Sequence, residues 1–515
     1  MKKLKIVFMS MFFMLSIFCQ PIFAQNTYEC KLYGKVTDAG QVVSKLVIDY
    51  QDKQITQVDN DTFTVDVTVD ANYATGKELE DQYKDSTQQY SRHIVKTEVD
   101  GSKVTLYFDE SEGSTLLWTR LRRNLPANIK YEIKQQKSIQ LKDGTTLPLD
   151  TEYTCLATSY KDVIDNEVSQ FESVIVNDGQ DYSNGMNYQI HKGSNDSMIV
   201  WFHGGGESSW KGYGNNAAQL LGNRGTVAWA SQEAKEVFGD ATVVAFQVPA
   251  TLEWYDAKEK GLLELCYNQI NKIAKERGID SNKIYLAGCS AGGYMSTRML
   301  IQYPNLFKAA MLTCPAITTA SNGSGLPESS VPTDEEIKSL LNSKTAIWLV
   351  QSEIDSTIDT NKSTKRIFDL LSANQKVTEK EYQQDLSSDF TTYETEDGKY
   401  KLSIFKTQND LIEVAEDYDQ DGIYTTVQYN NHWSWIFTLR NMPQAADGTH
   451  IWQWAANYSA AKENDQVNSP TDTVKKENTK EESVKTGDDS HLYAYGLLMI
   501  SAGWLFIKKF NVSKL

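Results

Sequence analysis

No C-x-x-C pair, no Walker-type phosphate loop and no haem-attachment motif occurs in this sequence, so nothing in it implies a cofactor. Positive charge is in deficit: 51 Lys and Arg stand against 68 Asp and Glu, for a net charge of −17. That balance argues against nucleic acid as partner, because neutralising phosphates takes clustered Lys and Arg. Cysteine is sparse as well. Cys19 leaves with an export signal, and Cys30, Cys155, Cys266, Cys289 and Cys314 are odd in number with no framework spacing. No obligatory disulfide is expected. Histidine is as scarce as cysteine, at six in 515 residues, and this narrows any search for a general base. What remains, 40% hydrophobic and 11% aromatic, suits a folded chain long enough for two or more domains.

The most informative stretch is Lys283-Ile-Tyr-Leu-Ala-Gly-Cys-Ser-Ala-Gly-Gly293. A short apolar strand runs into Gly288-x-Ser290-x-Gly292, and a helix-like run follows. This is the context of a nucleophile elbow, whose flanking glycines leave room for a turn sharp enough to expose the serine Oγ. Alone, such a motif is usually a tight loop. A second signal lies upstream, where the strand-like Ser197–Phe202 ends in His203-Gly204-Gly205-Gly206. Small residues there let backbone N–H groups turn towards a reacting carbonyl. Gly205 or Gly206, with the N–H of Ala291 after the nucleophile, are the expected oxyanion donors.

A serine needs a base, and the base needs a partner to orient it. In chain order Ser, acid, His, the candidate bases are His432 and His450. His432 sits in a loop after the strand-like Tyr424–Tyr429, whereas His450 opens an amphipathic helical run and reads as structural. Asp355, just past the buried-looking strand that begins at Lys344, is the expected acid, with Glu353 and Asp359 as alternatives. His203, Trp210, Trp254 and Trp433 are candidates for the substrate pocket, although aromatics are also ordinary core residues. Asp417, Asp419 and Asp421 open an EF-hand-like stretch, but position 12 is Gln428 and no helix pair brackets it. A turn rich in Asx caps is favoured there over a calcium site.

Both ends read as addresses. Residues 1–24 have the charged, apolar and small-residue regions of an export signal, leaving Gln25 first after cleavage. Residues 25–125 alternate apolar and polar positions as a small all-β sandwich does, with spacing, holding the cleft or oligomerisation as roles. A linking segment is expected over 126–150 and an α/β catalytic domain over 151–461. Residues 462–491 form a polar spacer, 492–507 an apolar anchor and 508–515 a basic tail. The spacer holds Val484-Lys-Thr-Gly-Asp488, which resembles the sorting signal of Gram-positive surface proteins, cut by a sortase after Thr486. Ser483 and Val484 stand where that signal has Leu-Pro. Either version, wall-linked or membrane-held, predicts a place on the outer face of a Gram-positive-type cell.

The ordered set His203–Gly206, Phe246–Pro249, Gly288–Gly293 and His432–Trp435 resembles the polyhydroxybutyrate-depolymerase-like esterases, an α/β-hydrolase branch neighbouring the prolyl oligopeptidases. The front end is similar to the immunoglobulin-like domain some of them carry. The resemblance implies a doubly wound, mostly parallel sheet and a serine carboxylesterase using Ser290, Asp355 and His432 on a small-molecule or glycan-linked ester. An acidic insertion over about 377–421 departs from the compact pattern. A prolyl-oligopeptidase-type peptidase and a non-catalytic surface adhesion protein are the rival readings.

Overall fold

The computed structural model describes residues 28–71, 88–118, 122–149, 152–177, 181–208, 216–318, 326–383, 388–407, 411–416 and 425–459. The proposed export signal and the tail from 462 to 515 lie outside them. Among the described residues, no helix is long and apolar enough to cross a membrane.

The N-terminal part is a β-sandwich. One sheet orders its strands Val163–Ile164, Glu29–Thr37, Gly40–Asp49, Lys103–Phe108 and Ile94–Asp100. The facing sheet runs Glu152–Ala157, Asn124–Gln135, Phe63–Ala71 and Gln88–Ser91. Period-two alternation sends Leu32, Leu46, Leu106, Val65, Val67, Ile129, Tyr131 and Ile133 into the core between them. This corrects the linking segment expected over 126–150. Asn124–Gln135 pairs along nearly its whole length with Phe63–Ala71 and on its other side with Glu152–Ala157. Pro126 is tolerated near its start, where it faces Leu116 of the short strand Leu116–Trp118.

The second part is built on a ten-stranded sheet. Six parallel strands form its middle, in the order Thr242–Phe246, Met198–Phe202, Ile284–Cys289, Ala309–Thr313, Ala346–Ser352 and Tyr400–Phe405. Antiparallel strands flank them, Tyr188–His191 and Glu172–Val174 at one edge, Phe390–Thr395 and Val377–Tyr382 at the other. Along Met198–Phe202 the side chains alternate between two cores. Met198, Val200 and Phe202 pack under the helices Leu262–Arg277 and Ala291–Gln302. Ile199 and Trp201 pack under Gln232–Phe238 and Ile451–Asn457. Burial on both faces is why these strands read as unbroken apolar runs.

The acidic stretch over 377–421 is no detached insertion. Its strand Tyr400–Phe405 is the last parallel strand of the sheet, and the two strands before it extend the sheet edge. The hairpin Leu411–Glu416/Thr425–Asn430 then delivers the chain to His432. The sandwich and the α/β part are joined by ion pairs, with Arg224 bidentate on Glu167 at 2.8 and 2.7 Å and Arg440 on the buried Asp38. Val36 and Leu116 pack there on Leu220, Leu221 and Val227.

Candidate active site

Ser290 sits at the C-terminal end of the strand Ile284–Cys289, immediately before the helix Ala291–Gln302. Its backbone is strained, with φ 52° and ψ −118°, as an elbow requires of a non-glycine residue. The glycines around it answer to close approach. A Cβ on Gly288 would lie 2.4 Å from Ser296 Oγ, and one on Gly292 only 2.0 Å from the Phe202 carbonyl oxygen. The elbow and the loop after Phe202 are therefore pressed together backbone to backbone.

The structure brings Ser290, His432 and Asp355 together. His432 Nε2 is 3.0 Å from Ser290 Oγ, while its Nδ1 lies 2.9 and 2.8 Å from the two oxygens of Asp355. The Asp355 side chain is fully buried. Its Oδ1 accepts the N–H groups of Thr357 and Ile358 at 2.8 and 2.9 Å, and its Oδ2 accepts Gln351 Nε2 at 3.0 Å. A carboxylate fixed by these donors orients the imidazole, with Nδ1 turned to the acid and Nε2 facing the serine. The loops bearing acid and base are also fastened to each other. Asn431 accepts the N–H of Ser356 at 3.0 Å and donates to the Ile354 carbonyl, and Asn430 Oδ1 accepts both Ser356 Oγ and the N–H of His432. Cys314, held at φ 36°, lies below the imidazole with Sγ 3.5 Å from the His432 carbonyl oxygen. Burial pushes its thiol, like that of Cys289, well above the usual range, which makes both inert fillers.

The other sequence candidates are placed elsewhere. His450 donates from Nδ1 to the Asn441 carbonyl at 2.6 Å and starts the helix Ile451–Asn457. Asp359 caps the turn Thr360–Lys362, and Glu353 lies on the rim of a groove outside the site. His203 and Trp254, expected in the pocket, are buried and instead hold the glycine loop. Trp254 Nε1 donates to the His203 carbonyl at 3.0 Å. His203 Nδ1 bonds the Gly204 carbonyl and Nε2 accepts the N–H of Val248. Burial lowers the His203 pKa to about 4, so the ring is neutral and fits one donor and one acceptor. Trp433 is half-buried and stacks between Tyr429 and Trp435, whose ring meets the His432 imidazole edge-on. Trp210, and the acidic trio Asp417, Asp419 and Asp421, lie outside the described residues.

Ala291 is the first helical residue, where an N–H has no intrahelical acceptor and the helix dipole favours negative charge. Gly205 and Gly206 open a short 3-10 turn, and a Cβ on Gly204 just before it would meet Cys289 Sγ of the elbow strand at 3.5 Å. What the sequence does not disclose is what lies against this turn. A Cβ on Gly206 would meet the ring of Trp118 at 3.3 Å and Asn124 Nδ2 at 3.7 Å, both from the sandwich. Asn124 Nδ2 donates to Glu207 Oε1 at 3.1 Å, and Arg123 pairs with Glu253, which also accepts Ser208 Oγ. The sandwich thus forms one wall beside the glycine loop, and Trp118 there is 59% exposed. Glu207 directly follows the glycines, but its partner is 83 residues away, so no local signal reveals its role.

Glu207 is buried, and desolvation raises its pKa from 4.5 to about 7, with Asn124 and Arg123 pulling the other way. A carboxyl protonated more readily when folded stabilises the fold fully below about pH 4.5 and loses that contribution as pH rises through 7. The shift is worth roughly 3 kcal/mol. Urea unfolding of the wild type should lose stability between pH 5 and 7.5 relative to Glu207→Gln. Parallel stability profiles for the two proteins would show that Glu207 does not titrate in this window.

Comparison with known proteins agrees with this architecture. The model of the esterase Ig-like N-terminal domain matches residues 31–148, and that of the prolyl oligopeptidase family matches residues 253–385. No curated protein matches the chain. A solved structure described as a thermostable esterase is similar over 80% of this chain and 96% of its own, at 22% identity and a TM-score of 0.56. Acetyl xylan esterase from Aspergillus awamori aligns over 46% of this chain and 93% of its own, at 15% identity and a TM-score of 0.33. The chain is a serine hydrolase with an α/β-hydrolase domain behind an immunoglobulin-like one.

Proposed function

We propose that this serine hydrolase cleaves carboxylic esters through an acyl-enzyme formed on Ser290. The observation that carries the reading is the unbroken hydrogen-bond chain from Ser290 Oγ through His432 to a buried, donor-saturated Asp355. His432 Nε2 takes the hydroxyl proton as Oγ attacks the ester carbonyl, and Asp355 stabilises the imidazolium that forms. The N–H groups of Ala291 and of Gly205 or Gly206 receive the developing oxyanion. The alcohol departs with the proton from His432. Water, deprotonated by the same imidazole, then releases the acid and regenerates the serine.

A second reading, a peptidase, is favoured by the prolyl oligopeptidase match over 253–385. It would use the same three residues, but the accessory domain here is a sandwich and no propeller. Turnover of p-nitrophenyl acetate and butyrate is compared with that of an Ala-Pro anilide at equal enzyme concentration. The ester reading expects rapid ester turnover with negligible anilide cleavage; the reverse ranking would overturn it.

We also propose that the protein acts outside the cell, held at its C-terminus. Support comes from the signal-like residues 1–24 and from Thr486-Gly487 followed by apolar and basic runs. Edman sequencing of protein from its native host should begin at Gln25, and an intact N-terminal Met1 would end this proposal.

A further inference from the structure

The outer face of the sandwich sheet carries a row of side chains for which catalysis has no use. Tyr33 lies opposite Lys45, Lys45 opposite Tyr107, and Tyr107 opposite Lys96, on four adjacent strands. The Lys45 ammonium sits 5.2 Å from the ring centre of Tyr33 and 5.7 Å from that of Tyr107, and Lys96 lies 5.2 Å from Tyr107. The row forms part of the wall of a cleft of about 520 Å³, closed on its other side by Ile164–Glu167 and Arg224. On the opposite face of the same strands, Leu32, Leu46 and Leu106 fill the sandwich core, so the row is not needed to hold the sheet together.

The cations of this cleft are not equivalent. Lys35 is paired with Glu110 at 2.9 Å, Lys96 with Glu98 at 2.7 Å and Arg224 with Glu167. Lys45 is half-buried, and among the described residues no carboxylate lies within ion-pair distance of it. Glu98, paired with Lys96 and accepting the Tyr107 hydroxyl at 2.7 Å, reaches Lys45 only from beyond ion-pair distance, so in a chain of net charge −17 this ammonium between two tyrosine rings keeps its attraction for an external anion. The rings add a second requirement. Tyr33 and Tyr107 stand two strands apart, about 10 Å, close to the span of two linked sugar rings. Aromatic rings stack on the C–H faces of sugars, and an ammonium between them meets a carboxylate carried by the chain.

We propose that this row binds an acidic polysaccharide, a chain containing uronic acids, at a site separate from Ser290. The full chain is run by affinity electrophoresis in gels containing polygalacturonate, with neutral xylan as the control polymer. Wild type should be retarded several-fold more by polygalacturonate than by xylan. Lys45→Glu and Lys45→Gln should both lose that retardation while retaining wild-type turnover of p-nitrophenyl acetate, which also reports that they are folded. Lys103→Glu, the same charge change on the exposed start of the strand Lys103–Phe108, should keep it. Equal retardation by both polymers, unaltered retardation of the Lys45 variants, or equal loss in Lys103→Glu would each overturn the proposal.

Discussion

Ser290→Ala should hydrolyse p-nitrophenyl butyrate at least about 10⁴-fold more slowly than the wild type. The substitution removes one atom, Oγ, and keeps the Cβ that the turn already accommodates at φ 52°. The N–H of Ser290 still donates to the Thr313 carbonyl at 3.0 Å, and its carbonyl still accepts Tyr294 and Ala316. The variant should therefore unfold at the wild-type temperature, separating lost chemistry from lost structure. A fluorophosphonate probe that labels the wild type should leave it unmarked. Wild-type turnover in this variant would remove Ser290 from the mechanism and the ester reading with it.

Asp355→Asn should fall almost as far, by about 10⁴-fold in kcat, or about 5.5 kcal/mol of transition-state stabilisation. Neither orientation of an asparagine amide suits the site. With its nitrogen at the Oδ2 position it would face the donor of Gln351, and at the Oδ1 position the N–H groups of Thr357 and Ile358. With its nitrogen towards His432, it favours the tautomer whose Nε2 carries the proton and cannot accept one from Ser290. KM should change little, because the carboxylate does not touch substrate. Steady-state kinetics separate the two parameters, and a raised KM with unchanged kcat would assign Asp355 to binding instead of orientation.

The elbow was legible because its demands are local. Gly288 and Gly292 stand where any side chain would strike Ser296 or the Phe202 carbonyl, and that crowding leaves a mark within a few residues of sequence. Asp355 was legible for a related reason, since it follows the end of a strand, where an α/β sheet presents side chains to one rim, whereas His432 follows a separate two-stranded hairpin and was legible from chain order and the scarcity of histidine. Asn124–Gln135 read as a linker because Asn128, Lys130, Glu132 and Lys134 line its outer face, masking the inward alternation of Ile129, Tyr131 and Ile133. Val377–Tyr382 is an exposed edge strand with no buried face to give it a pattern, and so the sheet extension resembled an insertion. His203 and Trp254 show the opposite difficulty. Their types suit a pocket, and only packing discloses that they brace the glycine loop from behind. The contact between Asn124 and Glu207 joins two domains and had no neighbour in sequence to announce it.

Asn430 and Asn431 clamp the loop of Asp355 directly, although the acid and His432 stand 77 positions apart in the chain. That clamp uncouples the spacing of the catalytic pair from whatever is spliced between them. Length variation confined to the turns of this span, away from the buried strands Phe390–Thr395 and Tyr400–Phe405, then costs the chemistry little. Those turns are natural berths for an engineered affinity handle or reporter.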